Sequence, residues 1–239
     1  MKVGKLFGRV KRILPISNKK FINRLRQKGA NIGKGTIFFS PRNTIVDEGK
    51  AFLISIGEYC KITSGVIILA HDYSRSVVRY YYGENIGGSA PVKIGNNCFI
   101  GMNTIILMGT EIGDNCVIGA GSIVKGKIPS NSVIAGNPAK IICSLEDYYS
   151  KRKNRVLLEA CECVKACKNN TGNYPTVEQM GDGYAWLYTP HTKETIIKYP
   201  NFFNLVGDDS EMLKDFFLKS TPVFNSYNDF LEYAIQHTS

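Results

Sequence analysis

Between Ile94 and Val124 apolar residues return at every sixth position. Ile94, Ile100, Ile106, Ile112, Ile118 and Val124 keep this register, and Gly95, Gly101, Gly113 and Gly119 follow four of them. Two residues before each aliphatic, from the second repeat onward, the side chain is small: Cys98, Thr104, Thr110, Cys116 and Ser122. A helix buries positions three to four apart and a flat strand alternates every two, so neither produces a strict six. A coil of very short strands with a corner every six residues does. Within Cys98-Phe99-Ile100 the strand period turns Cys98 and Ile100 inward and Phe99 outward. Gly101-Met102-Asn103 then makes a corner, with glycine and asparagine supplying the positive φ that corners need. The expected fold class is mainly β, a parallel β-helix of hexapeptide repeats.

The pattern is looser on either side. Asn31–Thr36 reads as a first hexapeptide, residues 41–50 read as a loop, and regular sixes resume at Ile56, Ile62 and Ile68. Residues 72–91 break the repeat. An insertion between stacked rungs must leave the coil, and such insertions often form a binding face. This one carries Arg75, Arg79, Tyr80, Tyr81, Tyr82 and Glu84. Those types suit a sugar, with its flat apolar faces and its hydroxyls; packing of the loop onto its host is the other reading. Ahead of the coil, Val3, Leu6, Phe7, Val10, Ile13 and Leu14 fall at helical spacing, with Lys2, Lys5, Arg9, Lys11 and Arg12 elsewhere on the wheel and Pro15 as a stop. A second helix starts at Ser17 or Asn18, has Phe21, Ile22 and Leu25 on its apolar side and stops at Gly29. Beyond Ile142 a long helix over Leu145–Lys168 and shorter ones over 176–180, 210–219 and 226–236 are expected, with Gly181-Asp182-Gly183 and Pro190 as punctuation. The chain thus divides into a basic helical arm (1–30), a β-helix (31–143, with the inserted loop 72–91) and a mostly helical extension (144–239).

Composition narrows the class. A hydrophobic fraction of 44% over 239 residues is that of a folded chain. No apolar run approaches the ~18 residues of a membrane span, and no signal-like apolar core follows the N-terminus, so a cytoplasmic protein is expected. Seven cysteines are an odd number without a secreted-domain spacing. Cys98 and Cys116, one three-hexapeptide turn apart, read as stacked, reduced core fillers. Cys161, Cys163 and Cys167 lack a fourth ligand, so no metal is expected. The net charge of +10 is uneven. Residues 1–30 hold ten Lys/Arg and no acid, while the remainder is balanced. Two readings of the arm follow: a peripheral contact of residues 1–28 with an anionic membrane at its inner face, or packing of its apolar face on the coil or a neighbouring subunit. No nucleic-acid motif accompanies the charge.

The hexapeptides, closed by Gly119–Val124 (GAGSIV) and Ala135–Ile142 (AGNPAKII), resemble the left-handed β-helix acyltransferases. Within that superfamily the chain looks most like the sugar O-acetyltransferases of the maltose/galactoside and capsular-polysaccharide type. The resemblance covers residues 31–143. It implies a left-handed coil, a homotrimer, acetyl-CoA bound in grooves between neighbouring prisms, and a sugar hydroxyl as acceptor in capsule, lipopolysaccharide or other surface-glycan synthesis. Family members carry their catalytic histidine in a T/A-H-D or T-H-P stretch at the first long loop. Ala70-His71-Asp72 matches, which implies His71 as general base toward the hydroxyl and then proton donor to the departing thiolate. His191 lies in the extension and His237 at its end. Asp72 and Glu84, by proximity in sequence, are the candidates to hold the His71 tautomer. For the cofactor the resemblance implies Gly101, Met102, Gly119 and Ala120 along the pantetheine arm and Phe99 at the outward aromatic position. The family's V-T-K-D-I-P stretch reads here Val124-Lys125-Gly126-Lys127-Ile128-Pro129, so Lys125, Lys127 and Lys140 are the cations for the CoA phosphates. Arg75, Arg79, Tyr81, Tyr82 and Glu84 are the acceptor-binding candidates. The γ-type carbonic anhydrases share the coil but need three zinc-binding histidines, and this coil has one. Alternative functions are N-acetylation of a nucleotide-linked amino sugar, acetylation of a xenobiotic, and a non-catalytic scaffold that docks on membranes.

Overall fold

Strands of only two or three residues cannot bury a face alone, so they stack. In the computed structural model, which describes residues 16–237, they do so in three sheets. The first face stacks Asn31–Ile32, Ile54–Ile56, Val92–Ile94, Glu111–Ile112 and Lys127–Ile128. The second stacks Ile37–Phe38, Lys61–Ile62, Phe99–Ile100, Val117–Ile118 and Ser132–Gly136, to which Ala139–Ser144 adds an antiparallel strand. The third stacks Ile45–Val46, Ile67–Ile68, Ile105–Ile106 and Ile123–Val124. All other pairings are parallel and in register, so that Ile62, Ile100, Ile118 and Ile134 stand above one another with no exposed surface. The hexapeptide-repeat coil of parallel sheets expected from the period of six is what residues 31–144 form; over the described residues helical positions outnumber strand positions, so mainly β holds for the coil and not for the whole chain. The predicted helix over residues 2–14 lies outside the described residues.

The corners explain the period. Asn97, Asn103, Gly109, Asn115 and Gly121, six apart, have φ of 51, 57, 78, 56 and 69°. Asparagine reaches this left-handed region more readily than other side chains because its short amide bonds locally. Here Asn97 donates to Asn115 and Asn115 to Asn131, each at 3.0 Å, forming an amide ladder up one corner. Gly101 serves differently from the expectation. It needs no positive φ; a Cβ there would lie 2.5 Å from the Ala120 nitrogen of the next rung, so clearance decides the residue. The inward small positions also line up. Cys60, Cys98 and Cys116 donate their thiols to the Gly95, Gly113 and Pro129 carbonyls at 3.0, 3.1 and 3.3 Å, which extends the expected pair of stacked cysteines to three. The Cys98 thiol is pushed up in pKa by its contacts with Cys116 and Cys60 and by burial.

Two segments expected to be loops carry structure. Residues 41–50 hold the strand Ile45–Val46, and a 3₁₀ helix spans Glu48–Leu53. The period is lost there because the first rung is longer: its inward residues are Ile32, Phe38 and Val46, with eight positions from Phe38 to Val46 and ten from Val46 to Ile56, which opens the second rung. The insertion 72–91 contains a helix over Arg75–Tyr82, closed by Gly83 at φ 75°.

Both ends of the coil are covered, as a stack of repeats requires. Helix α1 (Asn18–Gln27) lies on the first rung and buries Phe21, Ile22 and Leu25 in the core of the coil. It also satisfies strand groups that have no earlier rung to bond. Asn18 Oδ1 accepts from the Phe38 N–H at 2.8 Å, and the Arg26 guanidinium donates to the Ile32 carbonyl at 2.6 Å. The apolar side of α1 therefore packs on the coil. At the other end the hairpin of Ser132–Gly136 and Ala139–Ser144 closes the second face.

The second unit begins at Glu146 and is helical. The long helix Leu145–Thr171 is followed by Val177–Met180, Asp182–Tyr188, Lys193–Lys198, Ser210–Lys219 and Tyr227–His237. Gly181, at φ 77°, and Pro190 do punctuate, but Asp182–Tyr188 between them and Lys193–Lys198 beyond are helices that the sequence pattern does not predict. Among the described residues no helix is long and apolar enough to cross a membrane.

The end cap yields a test. Leu25 is 0% exposed, so Leu25→Ala should lower stability by about 2–5 kcal/mol in urea unfolding. Chains lacking residues 1–28 should lose far more, seen as precipitation or loss of the cooperative transition.

Candidate active site

The register of the third face fixes what stands beside its last corner. Val46, Ile68, Ile106 and Val124 pair in line, and the next residues, Asp47, Leu69, Leu107 and Lys125, form a column. The Asp47 N–H donates to the Ile68 carbonyl, Leu69 to Ile106 and Leu107 to Val124, at 2.9, 2.9 and 3.0 Å. One carboxylate, two leucines and one lysine thus run along a single edge of the coil.

His71 stands two residues past Leu69, where the chain leaves the coil for its insertion. Both ends of the insertion are pinned. The Asp72 N–H donates to the Gly88 carbonyl and the Ala90 N–H to the Ala70 carbonyl, at 2.9 and 3.1 Å, and His71 bridges Ser89. The His71 Nδ1 meets Asp47 Oδ2 in a short contact, and the same oxygen accepts the Ala70 N–H at 3.2 Å. The Asp47 side chain is 5% exposed and that of His71 35%. An ionised carboxylate can only accept, so Nδ1 carries the proton, and in the neutral tautomer this selects, Nε2 is the acceptor. Among the described residues no hydrogen bond occupies Nε2. A cavity of about 460 Å³ opens there, lined by Leu69, His71, Asp72, Tyr73, Leu107, Met108 and Lys125.

The partner of His71 is therefore Asp47, and neither Asp72 nor Glu84. The Asp72 carboxylate accepts the Ser74 N–H at 2.7 Å and the Ser74 hydroxyl at 2.8 Å. These two bonds, the backbone one foremost, hold its pKa below the ordinary carboxylate value. Asp72 thus closes a turn onto Ser74, the residue just ahead of the helix of the insertion, and lines the cavity wall. Glu84 is exposed beyond Gly83. Proximity in sequence misled because Asp47 lies one rung below, twenty-four residues earlier, in the segment read as a loop. Leu69, Tyr73, Leu107 and Met108 were likewise missed. The column rule that finds Leu69 and Leu107 was present in the repeat itself.

The remaining candidates divide between places. Lys125 shares the cavity with His71. Lys127 projects from the first face, 3.5 Å from Glu111, which also meets Lys93 at 3.4 Å. Lys140 is exposed on the closing antiparallel strand. Gly101, Met102, Gly119 and Ala120 form the corner between the second and third faces, where the Gly121 N–H donates to the Met102 carbonyl at 2.7 Å. Phe99 projects from the second face between Lys61 and Val117. Within one coil the third face separates this corner from His71. In the insertion, Arg75, Arg79, Tyr81 and Tyr82 lie on the short helix, where Arg75 is half-buried and Arg79, Tyr81 and Tyr82 are exposed. Tyr81 and Tyr82 meet edge to face at 4.7 Å, and the Arg75 guanidinium lies 5.7 Å from the Tyr73 ring at the cavity wall. His191 has both ring nitrogens engaged, by the Trp186 carbonyl at 3.1 Å and the Ser220 hydroxyl at 2.9 Å.

Comparison with known proteins agrees with the coil. Residues 91–125 match the family described as the hexapeptide repeat of succinyl-transferase. Protein CapG of Staphylococcus aureus is 44% identical over 149 residues, which cover 62% of this chain and 82% of that protein. Galactoside O-acetyltransferase of Escherichia coli (strain K12) is 37% identical over 52% of this chain. The putative lipopolysaccharide biosynthesis O-acetyl transferase WbbJ of the same strain is 36% identical over 46%. The match spans 61% of the length of each Escherichia coli protein.

The Asp72 bonds make a prediction about titration. Ser74→Ala removes the hydroxyl donor, so the Asp72 pKa should rise toward the ordinary ~3.9. Carboxyl carbon shifts followed by NMR between acid and neutral pH would read it. An unchanged midpoint would contradict the assignment.

Proposed function

Because the chain belongs to the hexapeptide-repeat acyltransferase family, and is an acyltransferase, we propose that it transfers the acetyl group of acetyl-CoA to a sugar hydroxyl. The observation that carries this is the Asp47–His71 pair opening into an apolar cavity with a lysine at its far end. Asp47 orients the imidazole, and Nε2 removes the proton of the acceptor hydroxyl as its oxygen attacks the thioester carbonyl. The tetrahedral intermediate collapses, the C–S bond breaks, and the thiolate takes the proton from Nε2. The cavity fits the co-substrate: Leu69, Leu107 and Met108 suit the pantetheine chain, and Lys125 suits a phosphate. Arg75, Arg79, Tyr81, Tyr82 and Glu84 lie on the exposed insertion and suit an acceptor with rings and hydroxyls. Surface-glycan synthesis, the acceptor context that the relatives' names suggest, is part of the reading, as is a left-handed winding of the coil.

The assembly we propose is a trimer. Gly101, Met102, Gly119 and Ala120 stand at a different corner from His71, so one prism cannot bring both to one acetyl-CoA, whereas two neighbouring prisms can. Between those corners the third face turns Ile45, Ile67, Ile105 and Ile123 outward in one line, with Ile45 56% exposed. An apolar ladder with one rung per strand spacing matches a second copy of itself.

An acceptor panel read by product mass spectrometry separates O- from N-acetylation and sugar from xenobiotic acceptors. His71→Ala should lower kcat about 10²–10⁴-fold with melting unchanged. Asp47→Ala should lower kcat on the order of 10²-fold at unchanged KM for acetyl-CoA, and Asp47→Asn should recover part, since its Oδ1 still accepts from Nδ1–H. Near-normal turnover by His71→Ala would sink the mechanism. Ile105→Lys should give an inactive monomer by light scattering; an active trimer would refute the ladder as its interface.

A further inference from the structure

The excess positive charge of the chain gathers at one end of the prism. Residues 16–53, which build the end cap and the first rung, hold eight Lys/Arg and two acids. Only one of the two acids offsets the charge near the surface. Asp47 is buried against His71, and Glu48 is held by Arg24 at 3.0 Å and Lys28 at 2.7 Å. Residues 1–15, ahead of the cap in sequence, add five more basic residues and no acid.

The arrangement works against helix stability. Lys19 and Lys20 stand exposed in the first turn of α1, where the helix dipole disfavours cations, and that turn has no acidic residue. Beside the other end of α1, the Phe52 side chain packs near Gly29 yet is 63% exposed, with the Lys50 ammonium 5.7 Å from its ring. An exposed aromatic flanked by lysines suits the boundary between lipid headgroups and acyl chains. A soluble polyanion would use the lysines and leave the ring in water.

From this we infer that the capped end of the coil is a docking surface for an anionic lipid bilayer. The contact differs from that of an inserting amphipathic helix, because Phe21, Ile22 and Leu25 of α1 are already committed to the core of the coil. The outward face of α1 and Phe52 make it, with the coil axis pointing away from the membrane. Asp47 is on the first rung and His71 one rung above, so a helix diameter and one strand spacing set His71 roughly 15 Å from the lipid surface. Resting on the acyl-transfer reading above, that position favours an acceptor tethered to the bilayer; the docking itself does not depend on it.

Sedimentation of the full-length chain with vesicles tests the surface without any turnover. Vesicles of phosphatidylcholine mixed with phosphatidylglycerol should bind it, phosphatidylcholine alone should not, and added salt should weaken the binding. Lys19→Gln, Lys20→Gln and Lys50→Gln together should cut the affinity by roughly 100-fold, about fivefold per charge, with the melting temperature unchanged. Phe52→Ser should remove the fraction that resists salt. Wild-type binding by the triple variant would overturn the proposal, and so would equal binding to both kinds of vesicle. A Phe52→Ser protein indistinguishable from wild type, or a chain that binds heparin and no vesicle, would assign the surface to soluble polyanions and overturn the bilayer as its partner.

Discussion

The corner conformation governs the coil. Every sixth residue must enter the left-handed region, and asparagine or glycine does so at Asn97, Asn103, Gly109, Asn115 and Gly121. Once the corners are fixed, each strand has room for one inward and one outward residue, and the inter-rung hydrogen bonds lock the register. Residues one turn apart then become neighbours in columns. The core, the apolar ladder of the third face and the edge that carries Asp47, Leu69, Leu107 and Lys125 all follow from that one repetition.

Chemistry enters where the repetition is interrupted. A carboxylate 5% exposed would be costly if left alone. Asp47 is instead met by the Ala70 N–H and the His71 imidazole, two groups on the rung above that the coil places within reach. The same rung is where the insertion departs, so the imidazole is held on one side by a buried acceptor and open on the other to a cavity. A site on a free loop would lack this fixed orientation.

The two ends of the coil solve one problem by different means. At the closing end a hairpin adds an antiparallel strand to the second face. At the opening end a helix supplies Asn18 and Arg26 to strand groups that have no earlier rung, and three apolar side chains to the core. The helix also brings the basic segment to that end, so a structural cap and a pole of positive charge coincide.

Sequence alone determined the period of six, and with it the coil, the inward cysteine column and the place of His71 at the opening of the insertion. These were legible because each rests on spacing within a few residues. The concentration of basic residues in 1–30 and the long helix after Ser144 were legible for the same reason. Only the tertiary structure decided the partner of His71. Asp47 sits on a first rung whose spacing is not six, so the column joining it to Leu69 cannot be traced by counting, and proximity along the chain pointed to Asp72. Tertiary packing also decided that the apolar side of α1 faces the coil, and that glycine at Gly101 answers to clearance from the rung above. Each of these depends on atoms brought together from different rungs, and contact across rungs is a property of the stacked coil that local spacing does not carry.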